Sequence, residues 1–289
     1  MVEEGPYPAG VLQRLQDVER DILAVVDVLC REHGITYFLD SGTCLGAVRN
    51  GGFIPWDDDI DIGMPWDDYK RFCEIAPHAL PEGYSLHTID NSENFSALWA
   101  KVYKDGTRFL DASAVEAGSD QGIFIDVFPY CRLAADPRIA KKQMKQAAFW
   151  QRMSYLKAFA HPKIPQKAQF RSLLSGLCVV AHHTIAHFWS YETMRDKQEQ
   201  LFEGHETGDD WCCLSYTLFG AQKGEDLFPT ADIEFDGMKL LGPHNPDGYL
   251  RAWYGDYMKL PPAKDRFTHA PVILDFGDGV NIMEQRQTD

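Results

Sequence analysis

Residues 40–64 read DSGTCLGAVRNGGFIPWDDDIDIGM, with four aspartates crowded into positions 57–61 and isoleucines wedged among them. In DIDIG (59–63) polar and apolar residues alternate, which predicts a strand carrying Asp59 and Asp61 on one face and Ile60 and Ile62 on the other, toward a core. Two carboxylates side by side raise each other's proton affinity unless a divalent cation lies between them. Oxygen ligands of this kind suit magnesium or manganese, with substrate phosphates completing the coordination. A calcium loop fits less well. Asp57, Asp59 and Asp61 match its D-x-D-x-D spacing and Asp68 falls at its last ligand position, but Ile62 stands where the loop needs glycine. For Asp57 and Asp58 the plainer expectation is a solvated acidic loop.

On the N-terminal side, ITYFLD (35–40) predicts a short strand, Ser41-Gly42-Thr43 a turn, and TCLGAVRN (43–50) a helix behind it. Strand, turn and helix in that order present unpaired backbone N–H groups and a hydroxyl to a phosphate. Arg49 and Lys101 are candidate phosphate ligands, although each has the ordinary alternative of a surface cation. Further along, GIFIDVFPY (122–130) carries Asp126 as the one polar side chain in an otherwise buried pattern. A charge there is costly unless paired or liganded. If that strand lies beside 59–63, Asp59, Asp61 and Asp126 form one metal and catalytic cluster.

Around this centre, residues 11–33 predict an amphipathic helix, with apolar residues at four-three spacing and Gly34 as its stop. A helix follows Pro65 with Trp66, Tyr69, Phe72, Cys73 and Ala76 on one face. YSLHTI (84–89) and ALWAKVYK (97–104) predict strands, with Lys104-Asp105-Gly106 as a hairpin turn. From 136 to about 204 the pattern is helical, broken near 161–165, and a late hairpin turns at Asp236-Gly237. The fold class is α+β: a mixed sheet flanked by helices over 1–135, a helical region over 136–225, and a C-terminal segment over 226–289 that packs back on the core.

Of 289 residues, 45% are hydrophobic, enough for a substantial core, and the net charge of −15 argues against nucleic acid as a partner. The odd set of seven cysteines and an opening without a basic-then-apolar leader predict a reducing, cytoplasmic setting. Adjacent Cys212 and Cys213 are poor tetrahedral partners, so a zinc site with His205 is not expected. Residues 172–191 contain no Asp, Glu, Lys or Arg. Three histidines and several hydroxyls make the segment a poor bilayer span, and a buried or membrane-surface helix is the better expectation. His183 and His187 stand at metal-pair spacing but lack a third ligand nearby.

FLDSGTCLGAVRNGGFIPWDDDIDIGM (38–64) closely resembles the signature of the LicD family of phosphotransferases, which includes fukutin and the fukutin-related protein. The resemblance continues through DVFP (126–129) and returns in LRAWYGDYMKLPPAKDRFTH (250–269). It implies a nucleotidyltransferase-like mixed sheet with metal carboxylates on adjacent strands. It also implies attack of a glycan hydroxyl, cell-surface or lipid-linked, on the β-phosphorus of a CDP-alcohol, CDP-choline above CDP-ribitol, with CMP released. On that pattern Asp59 and Asp61 hold Mg²⁺ (or Mn²⁺), and Asp126 shares the ion or accepts the hydroxyl proton. Ser41, Gly42 and Thr43 cradle a phosphate with Arg49 and Lys101, Asp58 supports the ligands, and Arg266 and His269 close over the site. The charge-free segment 172–191, if it is membrane-facing rather than buried, would suit such an enzyme working in the cytoplasm on lipid-linked precursors, as a peripheral contact at the inner membrane face. The alternatives are a nucleotidyltransferase that passes NMP from an NTP, with pyrophosphate as product, and a non-catalytic nucleotide-binding module.

Overall fold

In a computed structural model of the chain, residues 6–161, 171–213, 215 and 220–287 are described. The side chains of 171, 172, 185–187, 202 and 285–287 fall outside that description, as do the break expected near 161–165 beyond His161 and the His187 half of the histidine pair.

The first helix, α1 (Val11–His33), buries Leu15, Ile22, Leu23, Val26 and Leu29 and ends at Gly34 in the left-handed conformation that glycine adopts without strain. Strand β1 is only Phe38–Leu39 and leads directly into α2 (Ser41–Asn50). The expected turn at Ser41–Thr43 is therefore the first turn of α2 itself, because the Asp40 side chain caps it by accepting from Ser41 N–H. After a loop, β2 (Asp61–Pro65) runs into α3 (Trp66–Ala79), of which Phe72 and Ala76 are buried. Strands β3 (Tyr84–His87), β4 (Ala100–Lys104) and β5 (Arg108–Leu110), the short α4 (Ala112–Ala117) and β6 (Ile123–Ala134) complete the first half.

The central strand is β6. It pairs parallel with β2 and antiparallel with β4, giving the order β1-β2-β6-β4-β3. Its far half pairs with β7 (Thr207–Cys213), which pairs in turn with β8 (Gln222–Lys223). These two strands lie inside the region expected to be helical (136–225), where α5 (Pro137–Ala158), α6 (Arg171–Phe188) and α7 (Tyr191–Glu199) do follow the pattern. α8 (Gly224–Leu227) precedes the hairpin of β9 (Ala231–Phe235) and β10 (Met238–Gly242), which turns at Asp236-Gly237 as expected. α9 (Pro246–Tyr254) packs on α2, and β11 (Ile273–Asp275) is the last strand of the described residues. The hairpin expected at 104–106 does not form between β4 and β5. β5 pairs with β11 instead, a partner more than 160 residues away that no local turn signal announces.

Gly46 shows why the helix LGAVR (45–49) sits where it does. A Cβ on Gly46 would collide with the carbonyl oxygen of Gly52 and lie 3.0 Å from Ile54 N, so helix and acidic loop touch backbone to backbone. Neither side can rotate away. Gly46→Ala is expected to destabilise the protein by about 1–3 kcal/mol, read as a lower urea midpoint at unchanged slope.

Candidate active site

The register of the sheet builds the site. Asp61 on β2 stands opposite Asp126 on β6, and Asp126 stands opposite Lys101 on β4. Paired residues on neighbouring strands face the same side, so Asp61, Asp126 and Lys101 form a row across three strands. Asp59 sits two residues before Asp61, where Asp126 N–H still donates to Ile60 O at 2.8 Å and extends the pairing beyond β2. On the opposite face Ile60, Ile62, Ile125, Val127 and Val102 are fully buried. The alternation of the motif thus separates a core face from a carboxylate face.

That carboxylate face opens into a cavity of about 1160 Å³. Of the residues named from sequence, Asp59, Asp61, Asp126, Ser41, Gly42, Arg49, Lys101, Arg266 and His269 all line it. Thr43 and Asp58 do not line it, and Lys101 lines it as a paired cation.

Lys101 is not a surface cation. It is buried, with Nζ 2.7 Å from Asp126 Oδ1 and 3.3 Å from the centroid of the Phe124 ring. Trp99 Nε1 donates to the same oxygen at 2.6 Å. Thr43 turns away from the cavity, and its hydroxyl accepts from Asp61 N–H at 2.9 Å, tying α2 to the start of β2. Asp58, expected either in a solvated loop or as a support for the ligands, is almost fully buried. It accepts from Tyr7 O–H at 2.5 Å and from His269 N–H at 2.8 Å, clamping the two ends of the chain around the acidic loop.

Two carboxylates carry more than their sequence context suggested. Asp57 lines the cavity with Oδ2 2.9 Å from the position a Cβ on Gly42 would take, so only glycine lets it approach the first turn of α2. Asp40 is buried and accepts from Ser41 N–H at 2.7 Å, from Tyr130 O–H at 2.8 Å, and from Tyr249 O–H. These donors fix the β1–α2 junction. Ser41 itself has φ +46°, an uncommon left-handed conformation for a residue with a side chain. The mouth is cationic and aromatic: the Arg266 guanidinium lies 4.3 Å from the Trp56 ring centroid and that of Arg49 lies 5.9 Å away.

The electrostatics are those of a crowded anionic site. Burial, reinforced by Asp59 and Asp126, holds the Asp61 carboxyl well above the ordinary range, and burial with Asp59 and Asp58 does the same for Asp57. Burial pushes Asp59 up to about 6, with His269 pulling the other way. His269 Nδ1 lies 3.2 Å from Asp59 Oδ2. Burial disfavours its charge, but the hydrogen bond to Asp58 and the charge of Asp59 prevail and push it up to about 9. Behind this group Glu19 of α1 is buried, one of its carboxyl oxygens has no hydrogen-bond partner, and burial raises its proton affinity.

Both Asp59 and His269 have folded-state pKa values above their ordinary ones. The stability each contributes is full below its unfolded value and is lost as pH rises through its folded value. In EDTA, melting temperature is therefore expected to fall between pH 6.5 and 9 as His269 loses its proton. His269→Gln should flatten that part of the profile; an unchanged slope would contradict the Asp58–His269–Asp59 coupling.

The donor set fits a hard divalent cation: several carboxylate oxygens with raised proton affinity, compensated at close range by Lys101 and His269. Among the described residues, Asp58, Asp59 and His269 have ligand atoms within 4.8 Å of one another, whereas Asp59, Asp61 and Asp126 face one cavity without drawing that close.

The sequence is similar to those of known proteins. The family described as "LicD/FKTN/FKRP, nucleotidyltransferase domain" matches residues 34–174. Lipopolysaccharide cholinephosphotransferase LicD of Haemophilus influenzae is 28% identical over 264 residues, covering 89% of this chain and 95% of that protein. Human ribitol 5-phosphate transferase FKRP is 35% identical over 130 residues, 45% of this chain and 23% of that protein. Mouse ribitol-5-phosphate transferase FKTN is 37% identical over 79 residues, 27% of this chain and 17% of that protein.

Proposed function

We propose that this chain, whose residues 34–174 match the LicD-family domain, is a LicD-type phosphotransferase that moves phosphocholine from CDP-choline onto a hydroxyl of a cell-surface glycan or its lipid-linked precursor. The observation that carries this reading is the row of Asp61, Asp126 and Lys101, with Asp59 beside it, in one large cavity. The cavity exceeds the roughly 300–1,000 Å³ of an ordinary small-molecule site, which leaves room for a nucleotide donor and a glycan acceptor together. Similarity to the cholinephosphotransferase over nearly its whole length favours choline over ribitol, since the ribitol-phosphate transferases match over a shorter stretch.

In the proposed reaction the acceptor oxygen bonds to the β-phosphorus, the bridge to the α-phosphate breaks, and CMP leaves. Asp59, Asp61 and Asp126 would hold Mg²⁺, which when bound neutralises the diphosphate and the departing CMP. Asp126 already accepts from Lys101 and Trp99, so it suits an oriented ligand better than a base. Asp57, with its raised proton affinity and its place beside Gly42, takes the proton of the acceptor hydroxyl. Arg49 and Arg266, gathered around Trp56, and the charged His269 meet the phosphates from the mouth. Ser41 and Gly42 offer the first turn of α2.

The test is a donor panel. Incubation with Mg²⁺, a glycan acceptor and CDP-choline, CDP-ribitol, CDP-glycerol or NTPs should release CMP fastest with CDP-choline. Pyrophosphate from an NTP, without CMP from any CDP-alcohol, would favour the nucleotidyltransferase alternative.

A further inference from the structure

The charges of this acidic chain are segregated. Between Pro137 and Tyr191 fall nine of its 28 lysines and arginines and none of its 43 acidic residues. Six of the nine lie on α5, where Arg138, Lys142, Lys145, Phe149 and Arg152 recur at four-three spacing and are all exposed, with Lys141 exposed beside them. Three more follow in sequence at Lys163, Lys167 and Arg171.

α6, packed against α5, supplies the apolar half. Leu173, Leu177, Val180 and Phe188 recur along one side of the helix and are exposed, Val180 at 65% and Phe188 at 77%. The other side faces inward: Cys178 lines the catalytic cavity and the His182 ring contacts Leu156 O at 2.8 Å. The two exposed stripes meet at an aromatic cluster, where Phe149 and Trp150 of α5 lie 6.2 and 5.5 Å from Trp189, ring centre to ring centre. No helix of the described residues is long and apolar enough to cross a membrane.

We infer that α5 and α6 form a docking face for the surface of a bilayer rich in anionic lipid. A solvated helix pair has no need to show water so many large apolar side chains, and a protein partner would not require every acidic residue to be missing from the stretch. Basic side chains, an apolar stripe and interfacial tryptophans together match the headgroup region, the acyl boundary below it and the plane between them. Docked this way, the helix pair that walls the cavity lies against the membrane. Docking of this face does not depend on which CDP-alcohol is the proposed donor.

The experiment is co-sedimentation with phosphatidylcholine vesicles containing or lacking phosphatidylglycerol, across a salt series. The protein is expected to bind the anionic vesicles, weakly or not at all the neutral ones, and to dissociate as salt rises. Lys141→Glu/Lys142→Glu/Lys145→Glu should weaken binding about a hundredfold or more, and Leu177→Ser/Val180→Ser about tenfold. All five positions are exposed, so unchanged circular dichroism is expected of both variants. Failure to bind anionic vesicles at low salt, wild-type binding by the lysine variant, or tighter binding to heparin or DNA than to vesicles would each overturn the inference.

Discussion

Asp59→Asn and Asp61→Asn are each expected to reduce the proposed phosphocholine transfer at least about a thousandfold while leaving the fold intact. Asparagine keeps the shape and one oxygen but removes the negative charge that would hold the proposed cation. The fold should tolerate the change because both carboxyls are already crowded by like charges, and burial raises the proton affinity of each. Relieving that repulsion should hold or raise the melting temperature of the metal-free protein. Loss of turnover with an equal or higher melting temperature separates a ligand from a structural residue. Full turnover in either variant would discard the assignment.

Lys101→Met should have the opposite signature, a large loss of stability. Its ammonium is paired at 2.7 Å with Asp126, and both side chains are about nine-tenths buried. Removing one partner of such a pair leaves an uncompensated charge and costs about 3–5 kcal/mol, measured as a lower urea midpoint in EDTA. The Lys101→Met/Asp126→Asn double variant should recover much of that loss, because the stranded carboxylate is gone with its partner. A single variant that loses less than about 1 kcal/mol would mean that the pair is solvated and that Lys101 is the surface cation its sequence context also allowed.

The carboxylate face was legible because it is a local pattern. Alternation in DIDIG separates Asp59 and Asp61 from Ile60 and Ile62, and a single aspartate among apolar residues marks Asp126 for the same face. What decides the roles of Asp58, Asp40 and Lys101 is not local. Asp58 is buried by Tyr7 and His269, 51 and 211 residues away, and nothing in the run of aspartates distinguishes it from Asp57. Asp40 depends on Tyr130 and Tyr249. Lys101 is paired because β4 happens to place it opposite Asp126. The short strands β5 and β11 find each other across most of the chain. One non-local feature could have been found by counting, since the absence of acidic residues from 137–191 is visible in the sequence and needs only the sign of each charge.

In the proposed reaction the aspartates of one cavity hold a divalent ion that works on a CDP-alcohol. Mn²⁺ titration followed by electron paramagnetic resonance, in the presence of CDP-choline, tests it most directly. One saturable site is expected in the wild-type protein, lost in Asp59→Asn, Asp61→Asn and Asp126→Asn alike. Wild-type protein that leaves Mn²⁺ and CDP-choline no more bound than in buffer, or Asp61→Asn protein that binds them as tightly as wild type, would contradict it.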